Sequence, residues 1–260
     1  MSPSPLRTLI VIPTYNERGN LQPLVEDIQG RGLGVDFLII DDHSSDGTGA
    51  VADELATRLP LTVLHRKGRL GIGSAHKAGL RYAMDQDYEA VMTMDADLSH
   101  SPQYLRPMLE RLARADVVIG SRYVAGGGFE RFGLHRLLLT KTVHRLTQSL
   151  LGLPYDCTSG LRAYRVAALR AVDFTATPSD GHAFLIESLF QIQRAGGTMT
   201  EYPITIQPRW QGQSKVSFAE LLRAAASLMR LTVQRFSRRR RGASPAWVGC
   251  ESPSGSADRS

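Results

Sequence analysis

Across its first 120 residues the chain alternates short β-branched runs with segments of helical period, which leaves few architectures open. Leu6–Ile12 (stopped by Pro13), Phe37–Ile40, Leu61–His65, Glu89–Met94 and Asp116–Gly120 read as strands. Between them Asn16–Gln29, Gly47–Leu59, Ile72–Gln86 and Gln103–Arg114 read as helices. Leu21, Leu24, Val25 and Ile28 set the helical spacing in the first of these. Ser101 as N-cap and Pro102 at the first helical position open the last. A β-α-β-α order of this kind predicts an α/β fold, a mostly parallel sheet covered by helices on both faces.

The second half is more helical. Leu134–Leu151, Val166–Ala171 and His182–Ala195 read as helices, Thr198–Ile206 as a further strand, and Phe218–Phe236 as a strongly amphipathic helix. From Ser237 the chain is Arg-rich and then rich in Ser, Gly and Pro, so residues 237–260 are expected to be a disordered tail. A hydrophobic share of 42% and a charged share of 22% argue for a globular body and against wholesale disorder. The net charge of +6 is unevenly placed: residues 207–260 hold ten basic and three acidic side chains, residues 1–206 hold 21 and 22. A neutral body disfavours a nucleic-acid coat and puts the positive charge at the C-terminal end. Two cysteines exclude a disulfide framework and a multi-Cys metal site and fit a reducing, cytoplasmic environment. No signal peptide is visible, and no run reaches the roughly 20 apolar residues that span a bilayer, so an integral membrane protein is not expected.

In open α/β sheets, ligands bind beyond the carboxyl ends of the strands. The second strand runs into Asp41-Asp42-His43-Ser44-Ser45-Asp46-Gly47-Thr48, and the fourth into Asp95-Ala96-Asp97-Leu98-Ser99-His100. Two carboxylates separated by one residue suit a hard cation, Mg²⁺ or Mn²⁺, that is shared with diphosphate oxygens. A departing diphosphate needs that neutralisation. Acidic strand ends also occur as solvated turns and helix caps; two on one sheet edge shift the balance toward a ligand. His43 and His100 lack Cys or Glu partners at zinc spacing and read as ordinary loop histidines. The glycine-rich stretch 68–77 has His76 where a dinucleotide fingerprint needs its last glycine, and no P-loop ending. It reads as a tight helix entry beside a ligand.

Several motifs, in order, carry a resemblance: Pro13-Thr14-Tyr15-Asn16-Glu17; Asp41-Asp42 with Ser44 and Asp46-Gly47-Thr48; Met94 to His100; Gly120-Ser121-Arg122-Tyr123; Asp156-Cys157-Thr158-Ser159-Gly160-Leu161-Arg162-Ala163-Tyr164; and Ser214-Lys215. Together they resemble the family 2 inverting glycosyltransferases of GT-A fold, and more narrowly the polyprenol-phosphate (dolichol-phosphate) mannose synthases, over roughly residues 7–236. The resemblance implies one glycosyltransferase domain, 1–236, with a nucleotide-sugar and metal half (about 1–130) and an acceptor and membrane-facing half (about 131–236). It implies that Pro13, Tyr15, Glu17 and Asp42 hold the base and ribose of the donor, and that Asp95 and Asp97 bind the divalent ion. Ser99 stands where the family often has a metal-binding Gln. Arg209 and Lys215 match positions that contact the donor diphosphate; Arg122, Arg136 and Thr140 match positions that grip the acceptor phosphate. Asp97 and Arg122 would be the catalytic pair, and the role of Glu187 stays open. The expected reaction is metal-dependent, inverting transfer of mannose from GDP-mannose to a polyprenyl phosphate. UDP-glucose or another nucleotide sugar is the alternative donor.

Charge chemistry suits such an acceptor. A phosphate monoester with a second pKa of about 6 is mostly dianionic at neutral pH, so it is a nucleophile without a general base. It needs cations to hold it beside an anionic donor, and a guanidinium past the fifth strand fits that task.

A lipid acceptor requires peripheral contact with a membrane, expected at its cytoplasmic face. On a helical wheel Phe218, Leu221, Leu222, Ala225, Met229, Thr232, Val233 and Phe236 share one face, opposite Glu220, Arg223, Ser227, Arg230 and Gln234. That apolar face either packs on the core or rests on the bilayer, with Arg238–Arg241 adding electrostatic attraction. In Leu134–Leu151, Leu139, Val143, Leu146 and Leu150 are expected to face the core. Leu134, Leu137 and Leu138, with Lys141 and Arg145, are expected to border the lipid. Two other classes compete. A nucleic-acid module would interleave aromatics with its basic residues, and Ser237–Arg241 has none. A dead membrane scaffold would tolerate loss of the acidic pair, yet Asp95 and Asp97 are both present.

Overall fold

The structure is a computed structural model. It describes residues 6–174, 177–210 and 218–239, without the side chains of 135, 136, 218, 219, 221, 238 and 239. The strands are β1 (Thr8–Thr14), β2 (Asp36–Asp41), β3 (Leu61–His65), β4 (Ala90–Thr93), β5 (Val117–Ser121), β6 (Gly128–Phe129), β7 (Arg162–Arg165), β8 (Met199–Pro203) and β9 (Thr205–Ile206). The helices are α1 (Arg18–Gly30), α2 (Thr48–Ala56), α3 (Ile72–Asp85), α4 (Leu105–Arg111), α5 (Leu134–Leu151), α6 (Val166–Leu169), α7 (Ala183–Arg194) and α8 (Phe218–Arg239).

Seven strands form the main sheet in the order β3-β2-β1-β4-β7-β5-β8, and β6 pairs with β9 in a short parallel ribbon. β1 pairs in parallel with β2 and β4, and β5 with β8. The exception is β7, which runs antiparallel between β4 and β5. The alternation along β1 and β2 divides the core into two layers, as period-2 side chains require. Leu9, Val11, Leu38 and Ile40 pack with Ala75 and Leu80 of α3 and Phe184 and Leu189 of α7. Ile10, Ile12, Phe37 and Ile39 pack with Leu21, Leu24 and Ile28 of α1, Ala52 of α2 and Met108 of α4. Each such aliphatic side chain removed from water contributes about 1.5–3 kcal/mol before entropy is counted.

β1 continues through Pro13 to Thr14. Pairing with β4 ends at Val11, so beyond it β1 is an edge on that side and tolerates a proline. Ser101 caps the short 3₁₀ turn Pro102–Tyr104, as the sequence predicts. The expected core face of α5 is a misreading: Leu139 and Leu146 are 55% and 47% exposed, alongside Leu134 and Leu138. Among the described side chains of that helix only Thr147 and Leu151 are buried, because α5 lies beside α8 rather than beneath the sheet. Arg235 of α8 donates through Nη1 to the carbonyls of Ser149 and Leu150, placing a cation on the negative end of α5.

Helix α8 is turned inside out. Its apolar stripe is the exposed side, with Leu222, Met229, Val233 and Phe236 between 49% and 71% accessible. Its polar side faces the protein: Glu220 lies 2.8 Å from His182 Nδ1, Ser227 pairs with Ser179, and Arg230 pairs with the fully buried Glu187. Leu231 anchors the helix in the core. Among the described residues no helix is long and apolar enough to cross a membrane.

Candidate active site

The carboxyl ends of β1, β2 and β4 open on a cavity of about 780 Å³. Among the described residues, three of the five non-glycine positions with positive φ, Asn16 (53°), His43 (61°) and Leu98 (59°), follow those strand ends. Left-handed backbone at such residues is costly and clusters where chain direction is set for a site.

The expected donor residues Pro13, Tyr15, Glu17, Asp42, Asp95 and Arg209 line this cavity, as does Asp97. Each is held by its surroundings. Asp42 pairs with Arg66 at 2.9 Å and accepts the Gly71 N–H at 2.8 Å. Gly71 stands at φ +93°, and a Cβ there would meet the Asp180 carbonyl, so the glycine-rich stretch does open α3 beside the cavity. Glu17 is buried and accepts from Asn20 at 2.6 Å. Arg69 lies over the Tyr15 ring, 4.4 Å from its centroid.

The acidic pair sits below this wall. Asp97 is buried, its Oδ2 is 3.0 Å from Arg209 Nε, and its Oδ1 accepts the Ser99 N–H at 3.1 Å. Asp95 is 31% exposed and rests on Gly160, where an added Cβ would lie 2.8 Å from Oδ1. Ser99 is buried and is not part of the cavity lining; its backbone serves Asp97 and accepts from the Gln207 N–H. Among the described residues no three His, Cys, Asp or Glu side chains converge as a metal cage. Two carboxylates, one cradled by a glycine and both on the cavity wall, fit a hard cation that completes its shell with ligand oxygens. His43 is exposed, but His100 is 1% exposed, so it is no ordinary loop histidine.

Of the expected acceptor residues, Arg122 and Thr140 lie outside the cavity lining. Arg122 is partly buried, its side chain 9% exposed, and bidentate to Asp156, with Nε–Oδ2 and Nη2–Oδ1 both 2.7 Å, and Nη2 also reaches Thr158. Burial alone would lower the Arg122 pKa, but the hydrogen bonds and charge of Asp156, with Asp95 nearby, raise it above its ordinary value. Burial likewise pushes Asp156 up, and Arg122 outweighs it, leaving the carboxyl below its ordinary 3.8. Thr140 stands on α5, where its carbonyl accepts from Tyr123 Oη at 3.2 Å. Tyr123 stacks on His144 with centroids 3.8 Å apart. The side chain of Arg136 and all of Lys215 lie outside the described residues. Cys157 is buried, which pushes its thiol up to about 12 and leaves it unreactive.

Three parts of the lining were not read from the sequence: Arg69, the turn Pro178–Gly181, and Glu220, Arg223, Ser227 and Arg230 of α8. Arg69 lies within the glycine-rich stretch 68–77, which reads from the sequence only as a helix entry beside a ligand. The α8 residues stand in the sequence only as the polar face opposite the apolar stripe.

The Glycosyl transferase family 2 profile matches residues 9–173. Polyprenol monophosphomannose synthase of Mycolicibacterium smegmatis is 41% identical over 222 residues, 84% of each chain. Undecaprenyl-phosphate mannosyltransferase of Micrococcus luteus is 39% identical over 214 residues, 82% of this chain and 88% of that one. Among solved structures, glucosyl-3-phosphoglycerate synthase from Mycobacterium tuberculosis, in complex with Mn²⁺, UDP and glucosyl-3-phosphoglycerate, superposes with a TM-score of 0.64. That match has 18% identity and covers 88% of this chain and 80% of that one, a likeness of fold. On the family match and these identities, the chain belongs to glycosyl transferase family 2 and is a glycosyltransferase.

Proposed function

We propose that the chain is a polyprenol-phosphate mannosyltransferase, transferring mannose from GDP-mannose to a polyprenyl phosphate with inversion. One observation carries this reading: a single cavity joins Asp95, Asp97 and Arg209 to a nucleotide-sized wall, and its rim is a helix with its apolar side turned outward. The names of the relatives at 41% and 39% identity support the sugar and the acceptor class.

Tyr15, Glu17 and Asp42 hold the nucleoside, and Arg209 leaves Asp97 for the donor diphosphate. Asp95 and Asp97 hold Mg²⁺ or Mn²⁺, which when bound supplies neutralising charge to the leaving diphosphate. Lys215 adds a second cation to the diphosphate. The acceptor dianion attacks in line from the side of Arg122, Arg136 and Thr140, and Arg122 offers Nη1 because Asp156 and Thr158 engage its other nitrogens. Positioning and charge neutralisation carry the rate, since the nucleophile needs no base. The first half of the chain serves the donor and metal, and the second serves the acceptor and the membrane. The enzyme works peripherally at a cytoplasmic membrane face through the outer stripes of α5 and α8.

A donor panel of GDP-mannose, UDP-glucose and other sugar nucleotides, with one polyprenyl phosphate and Mg²⁺ or Mn²⁺, tests the proposal. Turnover with GDP-mannose is expected, with Asp97→Ala losing most of it while keeping the fold. Preference for a UDP-sugar would move the chain to the alternative donor, and full activity of Asp97→Ala would overturn the metal assignment.

A further inference from the structure

His100 is a buried side chain near the acidic pair that the proposed chemistry leaves unused. Its ring is 1% exposed, and neither ring nitrogen has a hydrogen-bond partner within the described structure. A neutral imidazole carries one donor and one acceptor, and burying both without partners is a cost that folding accepts rarely. Nδ1 points toward one carboxylate, Asp95, with Oδ2 3.8 Å away. That is beyond hydrogen-bond range, which for such a pair is about 3 Å. Asp95 is boxed in on its other oxygen by Gly160, whose missing side chain gives Oδ1 its place.

We propose that His100 is a positioning residue for Asp95. With its proton on Nδ1 it donates to Oδ2 and fixes the orientation in which Asp95 would hold a divalent ion. The inference rests on the metal assignment made above and adds to it a residue that touches neither donor nor acceptor. Carboxylates that bind metals are themselves held by such outer partners, and losing one typically weakens metal affinity by about 10–100-fold. Ser99, which stands where a third ligand is expected, instead spends its backbone on Asp97 and Gln207, so orienting Asp95 falls to the next residue.

The test uses the geometry of amides. Asparagine places its side-chain N–H near the position of Nδ1, whereas glutamine places it near Nε2. His100→Asn, His100→Gln and His100→Leu are prepared in the full chain, and Mn²⁺ binding is followed by loss of the free-ion electron paramagnetic resonance signal. One series contains GDP and a parallel one UDP, and thermal melting is recorded for every variant. The expected result is Mn²⁺ affinity within about threefold of the parent for His100→Asn, and a loss of about 10–100-fold for His100→Gln and His100→Leu. Equal affinity in the parent and His100→Leu would overturn the inference alone. So would a result in which glutamine preserves binding and asparagine does not. A parent chain that takes up no Mn²⁺ with either nucleotide would overturn the metal assignment and this inference with it.

Discussion

Gly160 and His76 show how much single residues decide near this site. In Gly160→Ala the new methyl would press on Asp95 Oδ1 from 2.8 Å, while the rest of the fold stays untouched. Turnover should fall about 10–100-fold, in the manner of a lost outer-shell contact, with melting little changed. A steady-state assay beside a thermal melt checks it. His76 is fully buried and stacked on Phe184; burial first, then the charges of Arg162 and His182, push its pKa down to about 3. The folded value lies below the ordinary 6.5, so the unfolded chain binds the extra proton. The resulting stability is complete above 6.5 and is lost progressively as pH falls toward 3. Denaturant unfolding at pH 7, 6 and 5 should show His76 contributing a loss of about 1.4 kcal/mol per pH unit below its unfolded value, and His76→Gln should flatten that slope. The acidic motifs were legible in the sequence because their carboxylates stand one or two residues apart at strand ends, whereas their partners Arg66, Gly71 and Arg209 come from distant parts of the chain. The place of Arg162 was not legible: it is wholly buried and held by the carbonyls of Leu185 and Cys157, a setting that local spacing does not reveal.

At the scale of elements, the parallel strands and their helices follow from the alternation that opens the chain. β7 does not, because four residues reading Arg-Ala-Tyr-Arg carry no strand period, and their antiparallel insertion is decided by β4 and β5. The faces of α5 and α8 were opaque for a related reason. Apolar periodicity shows that a helix has two sides and leaves open which side meets the protein. For α8 the answer lies in pairs made across long separations, Glu187 with Arg230 and His182 with Glu220. Arg230→Met should therefore destabilise the protein by about 1–3 kcal/mol, since Glu187 is buried but Arg230 is 36% exposed and Ser179 still donates to Glu187. Restoring neutrality in Arg230→Met/Glu187→Gln should recover much of that loss, and a double-mutant cycle measures it.

For the whole molecule, the cavity and the outward stripe of α8 share one helix, which would join the proposed donor binding to the proposed surface binding. Met229→Gln/Val233→Gln/Phe236→Gln should abolish flotation with anionic vesicles while leaving the melting temperature near the parent value. Each changed side chain is 49–71% exposed and supports little of the core. Turnover with a short, water-soluble acceptor should survive, and turnover with a long-chain acceptor in vesicles should not. The inverted helix also dictates how the protein behaves when lipid is withheld. A stripe of this kind seeks any apolar partner, and in a detergent-free solution the nearest one is the same stripe on another copy. Sedimentation should then show association that grows with protein concentration and disappears when vesicles or mild detergent are added.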